Sequence, residues 1–313
     1  MDVVGPGLPF NTGSYGISGN GNVLVGETSL GFANSPILAS RYDRTTGVMT
    51  NLGALGGGLD QSRATGASYD GAVVVGFSIN DFSSNVARAF RWTPAGGMQN
   101  LGVTRPGQHH HSEAAAVSAD GMRVIGFSYG VPGPGDAFLW TTVGGMSILP
   151  SIPGAPSGYY FAYGMNQDAS IIVGVLSPSS GIERGVMWMN GQAVDLGTGR
   201  LQGTCARAVN DDGGVIVGQV RIGNTFSAGL WRSGIGWEPL ESYLLSIGMS
   251  VPAGIDLNDA TGISRDGRTI VGYTSVSGLS RQSWVATIPS PATLLLCTLV
   301  PLARRRSRSA FPV

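Results

Sequence analysis

The sequence predicts an all-β fold: a six-bladed β-propeller whose blades are four-stranded repeats of about 50 residues. Three observations carry that expectation. A polar-Asp-Gly phrase running into a β-branched stretch that ends in Gly recurs six times. An aromatic-bearing segment follows each copy, and a short Leu-Gly segment closes most units. Gly supplies 50 of 313 residues, more than twice the usual share of about 7%, and only 12% of residues are charged, which favours short strands and tight turns over long helices.

The anchors read SGNGNVLVG (Ser18–Gly26), SYDGAVVVG (Ser68–Gly76), SADGMRVIG (Ser118–Gly126), NQDASIIVG (Asn166–Gly174), NDDGGVIVG (Asn210–Gly218) and SRDGRTIVG (Ser264–Gly272). In each, a carboxylate or amide (Asn20, Asp70, Asp120, Asp168, Asp212 or Asp266) stands six residues before the closing glycine. Those closing glycines, Gly26, Gly76, Gly126, Gly174, Gly218 and Gly272, are spaced 50, 50, 48, 44 and 54 residues apart. Asp or Asn accepts hydrogen bonds from nearby backbone N–H groups, and the following Gly takes the positive φ of a corner. The unbroken aliphatic run marks a strand buried on both faces. The phrase is therefore a structural corner written once per blade.

Aromatic residues follow at Tyr42, Trp92, Trp140, Trp188, Trp231 and Trp284, a recurrence that fits packing between blades. Segments crowded with small residues precede the anchors, as in ATGAS, AAAVS and ARAVN. Blades converge at the axis, so these segments are expected innermost, with the anchor strand second, the aromatic strand third and the Leu-Gly strand outermost. The sixth repeat stops without a Leu-Gly strand, and Asp2–Gly5 is expected to supply it, closing the ring and removing open edges. The propeller then covers residues 1–287, followed by a tail over 288–313. A short helix is expected at Tyr243–Gly248, where the spacing between the fifth and sixth units lengthens.

Composition excludes several functions. All 19 basic residues are Arg, so lysine Schiff-base and lysine general-base chemistry are absent. Arg304, Arg305, Arg306 and Arg308 lie at the very end, leaving 15 Arg against 19 acidic residues in the body, which has no basic footprint for nucleic acid. Two cysteines, Cys205 and Cys297, form neither a disulfide framework nor a CxxC metal site. All three histidines stand together at His109–His111, where adjacent side chains diverge and serve a metal poorly, Glu113 being the one nearby carboxylate. No Ser sits in a G-x-S-x-G frame with a His partner. Glu238 with Glu241, or Asp211 with Asp212, are the carboxylate pairs for a glycosidase, and each reads more simply as a solvated turn or strand edge. Trp237, out of register, is the candidate exposed aromatic. No catalytic, cofactor or metal residue is assigned. The expected function is a non-enzymatic binding or structural module for polysaccharide, matrix or protein; the alternative is a sialidase- or lyase-like hydrolase gathering charged residues at the axial face.

The phrases ARAFRWTPAGGMQNLG, DAFLWTTVGGMSILP and NLGALGGGLDQSRATGASYDGAVVVGFS resemble the bacterial HAF-family extracellular repeats, over about residues 2–287. Arg88 and Asp136 stand where that family has its leading His. The resemblance implies a secreted or cell-surface propeller-like protein. The tail, with Pro289, Pro291, the apolar run Ala292–Ala303 and the Arg304, Arg305, Arg306 cluster, resembles a PEP-CTERM sorting tail. Ser290 replaces the family's Glu, and the run is short against the roughly 20 residues of a spanning helix. That resemblance implies export, transient membrane contact and recognition by sorting machinery. MDVVGPGLPF has no signal-peptide pattern, so export is expected to need a start upstream of Met1. A monomer is expected.

Overall fold

In a computed structural model of the chain, residues 12–29, 36–56, 61–79, 86–105, 110–130, 133–274, 282–289 and 300–301 are described. Their strands form six four-stranded antiparallel sheets, each ordered as the chain runs. The first blade comprises β1 (Thr12–Ile17), β2 (Val23–Ser29), β3 (Ile37–Asp43) and β4 (Val48–Gly53). The second comprises β5 (Gln61–Ala67), β6 (Val74–Ile79), β7 (Ala87–Thr93) and β8 (Gly97–Asn100). The third holds β9 (His111–Val117), β10 (Arg123–Tyr129), β11 (Asp136–Thr141) and β12 (Gly145–Ile148). The fourth holds β13 (Gly158–Met165), β14 (Ile171–Pro178), β15 (Arg184–Met189) and β16 (Gln192–Asp195). In the fifth are β17 (Thr204–Val209), β18 (Val215–Ile222), β19 (Thr225–Arg232) and β20 (Gly236–Pro239), followed by α1 (Leu240–Ser246). The sixth has β21 (Asp259–Ile263), β22 (Thr269–Thr274), β23 (Gln282–Thr287) and β24 (Val300–Pro301). The first strands of successive blades touch in series around an axis, so the chain is a six-bladed β-propeller with the strand order expected from side-chain size.

The corners behave as their residue types require. Asp70 Oδ1 accepts from the Ala72 N–H at 2.9 Å and from the Ser68 hydroxyl at 2.7 Å, while Ser68 Oγ accepts from the Val73 N–H at 3.0 Å. Where Asn replaces Ser, Asn166 and Asn210 take the same place, accepting from Ile171 and Val215. The residue after the acid is left-handed in all six corners, including the one non-glycine, Ala169, at φ 55. The closing glycine has a different cause. A Cβ on Gly174 would lie 1.8 Å from the Phe161 carbonyl oxygen, and one on Gly126 2.0 Å from that of Glu113. Each inner strand bulges just beyond this contact, bringing its backbone into the space a side chain would need.

Between blades the core is apolar. Five clusters join consecutive blades, from the first–second junction through the fifth–sixth. Trp92, Trp140, Trp188 and Trp231 each pack on such a cluster, as expected, opposite Val74, Val124, Ile172 and Ile216 of the neighbouring strand. Trp284 departs from that register. It pairs with Gly272, so the place matching the other tryptophans belongs to Ala286, opposite Ile270. The shift puts the indole over the bare face of Gly272, within 2.3 Å of where a Cβ would stand. No sixth cluster joins the sixth blade to the first among the described residues. The residue before the closing glycine is 0–1% exposed at Val25, Val75, Ile125, Val173 and Val217, yet Val271 is 38% exposed.

Two expectations are amended. Asp2–Gly5 lies outside the described residues, and the strand beside β23 is Val300–Pro301 from the tail, pairing with Val285 and Trp284. Proline is tolerated there because an edge strand can leave a backbone donor site facing solvent. The tail thus contributes to the last sheet, and residue 287 is not a sharp boundary. The helix forms three residues earlier than expected, at Leu240–Ser246, because Leu240 and Leu244 bury one face into the fifth–sixth cluster. No helix among the described residues is long and apolar enough to cross a membrane.

Candidate binding site in the axial channel

Along five of the inner strands a small residue packs beneath the closing glycine: Ala64, Ala114, Ala162, Ala206 and Ala260 are 0–1% exposed. The residues flanking that alanine differ from blade to blade and carry the chemistry of the axis. On the second blade, Arg63 Nε meets Glu27 of the first blade at 2.6 Å, and its guanidinium lies 4.8 Å from the Tyr15 ring centroid. The Tyr15 hydroxyl donates to the same carboxylate at 2.8 Å. Across the ring the motif recurs with other residues. Arg207 of the fifth blade lies 4.7 Å from the Tyr163 ring of the fourth and 3.3 Å from Asp259 of the sixth. The Tyr273 hydroxyl donates to Asp259 at 3.4 Å. Burial pushes the Tyr163 phenol up to about 12.

Between these two groups stands an aromatic wall. Tyr159, Phe161 and Tyr163 alternate along β13, and successive rings are near parallel, 6.3 and 6.0 Å apart. Phe161 meets Phe127 of the third blade edge-on at 4.9 Å, and Tyr129 stacks on His111 at 4.7 Å. Glu113, paired in register with Phe127, lies in this wall. Burial raises its carboxyl pKa and the nearby Arg63 opposes that rise. Among the described residues, no hydrogen bond or ion pair reaches the Glu113 carboxylate.

The residues singled out from sequence lie elsewhere. The corner residues Asn20, Asp70, Asp120, Asp168, Asp212 and Asp266 gather at one end of the channel and spend an oxygen on their own turn. Glu238 is paired with Arg232 at 2.5 Å, and Glu241 is exposed on α1. Trp237 is not an exposed aromatic: its ring covers Gly185 and Gly229 and packs on the fourth–fifth cluster. His109, Pro291 and the Arg304, Arg305, Arg306 cluster lie outside the described residues, while the His110 carbonyl accepts from Arg88. No group of three metal-ligating side chains occurs among the described residues. A surface cleft of about 140 Å³ lies over Cys205, whose thiol burial pushes up to about 12, too high for a nucleophile.

Sequence reading missed Arg63, Arg207 and Asp259, and placed Glu113 beside the histidines rather than in the channel, because chemistry that differs at each repeat leaves no motif. The available signal was the reverse of repetition: RAT, EAA, FAY, CAR and DAT keep the alanine and vary around it.

No family model matches the sequence, and no curated protein matches it. Solved structures match at the level of fold. TolB from Acinetobacter baumannii is 11% identical with a TM-score of 0.56, over 86% of this chain and 62% of that protein. Prolyl endopeptidases analysed for inter-domain dynamics are 10% identical with a TM-score of 0.61, over 88% of this chain and 40% of theirs. AofleA from Arthrobotrys oligospora is 14% identical with a TM-score of 0.51, over 87% and 81%. The chain therefore spans less than two thirds of the first two proteins, and the likeness is that of the propeller.

Proposed function

We propose that this chain is an exported or cell-surface binding propeller, without enzymatic activity, that holds a polysaccharide, matrix component or protein at its axial channel and adjoining loops. The observation that carries this reading is how the channel's charges are spent. Arg63 is held by Glu27 and Arg207 by Asp259, so the ring is braced across three blade boundaries. Among the described channel residues Glu113 is the one carboxylate without a hydrogen bond or ion pair, and hydrolysis of a glycosidic bond by the usual route takes two opposed carboxylates. A rigid channel rimmed by rings suits recognition. The repeat phrases and the Pro-x-Pro, apolar and Arg-rich tail support export and handling by sorting machinery.

The test is binding of the purified full chain to arrays of bacterial polysaccharides and surface proteins, with cell fractionation of the producing organism. Retention on one ligand class, an outer-surface location and no turnover of glycan substrates are expected. Turnover abolished by Glu113→Gln would instead establish the hydrolase alternative.

A further inference from the structure

We propose that the channel wall between the third and fourth blades binds an organic ammonium group, held by the Glu113 carboxylate and the rings of Phe127, Tyr129 and Phe161. This rests on the binding reading above and names the chemistry its ligand must present. Of the five charged side chains on the braced ring, Arg63 is neutralised by Glu27 and Arg207 by Asp259, leaving one negative charge at Glu113. An anion would meet that carboxylate and find both arginines engaged. A neutral polyhydroxyl ligand would leave the Glu113 charge unbalanced.

A cation satisfies both features. Aromatic faces attract cations through the negative π-face, most usefully where water is partly displaced. Phe127 and Phe161 meet edge-to-face, so their faces point in different directions, the beginning of a cage. Tyr129 is held flat on His111, interplanar angle 3°, and Tyr163 is held by Arg207, so the rings are positioned before any ligand arrives. Glu113 stands directly opposite Phe127 across the β9–β10 pair, one step along the same face from the His111–Tyr129 stack. Burial of an unpaired carboxylate is costly, and a bound cation removes that cost.

The test is titration of the full chain, by calorimetry or by NMR of the aromatic signals, with choline and with N-acetyl-lysine amide. The first stands for a solute headgroup and the second for a protein side chain. The neutral isostere 3,3-dimethylbutanol is the control. At least one ammonium probe is expected to bind, at least tenfold more tightly than the isostere. Glu113→Gln, which keeps shape, and Phe161→Leu, which keeps bulk, are each expected to weaken that probe at least tenfold while the thermal midpoint of ligand-free Glu113→Gln does not fall. Equal binding of the isostere, no binding of either cation, or unaltered affinity in Glu113→Gln would overturn the proposal. Binding of a neutral methyl glycoside at this wall in place of the cations would overturn it and leave the binding propeller standing. Ammonium binding without retention on any array would uphold the site and remove the broader reading.

Discussion

Arg207 lies between Tyr163 and Asp259, its guanidinium 4.7 Å from the ring and 3.3 Å from the carboxylate, so one side chain ties the fourth, fifth and sixth blades. Asp259 is 2% exposed in its side chain, and a charge left there without its cation is expensive. Arg207→Met is therefore expected to destabilise the fold by about 3 kcal/mol, the low end for a broken buried pair because Arg207 keeps some solvent. Adding Asp259→Asn should recover part of the loss in urea denaturation. Equal midpoints for the single and double variants would refute the bridge.

The two kinds of glycine in the repeat should respond differently. Gly174→Ala forces a methyl onto the Phe161 carbonyl and is expected to cost about 3 kcal/mol or more, as strain and a displaced strand add together. Ala169, left-handed in its corner, offers the reverse: Ala169→Gly is expected to stabilise by about 1 kcal/mol, the cost of a side chain at that conformation. Thermal melts of both variants check the pair.

Acid should loosen the corners. Hydrogen bonds from the Ala72 N–H to Asp70 and from the Ser118 hydroxyl to Asp120 lower those carboxyl pKa values, and Asp168 and Asp266 are lowered by Ser170 and Ser264. A carboxylate with a depressed native pKa contributes stability that is present above its unfolded pKa and is lost as pH falls through the native one. Stability is thus expected to hold down to about pH 4 and then fall, with Asp70→Asn flattening part of that slope. Urea midpoints measured between neutral and strongly acidic pH test this; an unchanged slope in Asp70→Asn refutes it.

The junction of the sixth and first blades should tolerate what the others do not. Val75→Ala removes two methyl groups' worth of buried surface and is expected to cost about 2 kcal/mol, whereas Val271→Ala should stay within about 0.5 kcal/mol. Comparable losses for the two substitutions would show that Val271 is covered in solution.

The architecture was legible because a propeller repeats its structural necessities: the Asp70 brace, the left-handed Gly71 and the bare Gly76 face recur at fixed distances. Trp284 packs on the fifth–sixth cluster as expected, but its spacing within the repeat is off by two residues, which shifts it to the neighbouring pleat on the same face of the strand. Trp237 was misread because isolation from the pattern suggests exposure, while two side-chain-free glycines supplied its seat. The channel was illegible for a deeper reason. Arg63 pairs with Glu27 across 36 residues and Arg207 with Asp259 across 52, and such partners are chosen by the curvature of the ring, which no local phrase encodes.

The corners also link to one another through the main chain. Asn20 N–H donates to the Tyr69 carbonyl, Tyr69 N–H to that of Ala119, Ala119 N–H to that of Gln167, and Asp211 N–H to that of Arg265. Peptide groups make the link at four of the blade boundaries, and the Gln167 amide bridges to the Asp211 carboxylate at a fifth, so the side chains at the middle positions differ widely: phenol, methyl, amide, carboxylate and guanidinium sit in turn around one rim. That rim is a palette on a fixed frame, where new surface chemistry can be installed one peg at a time without disturbing the scaffold beneath.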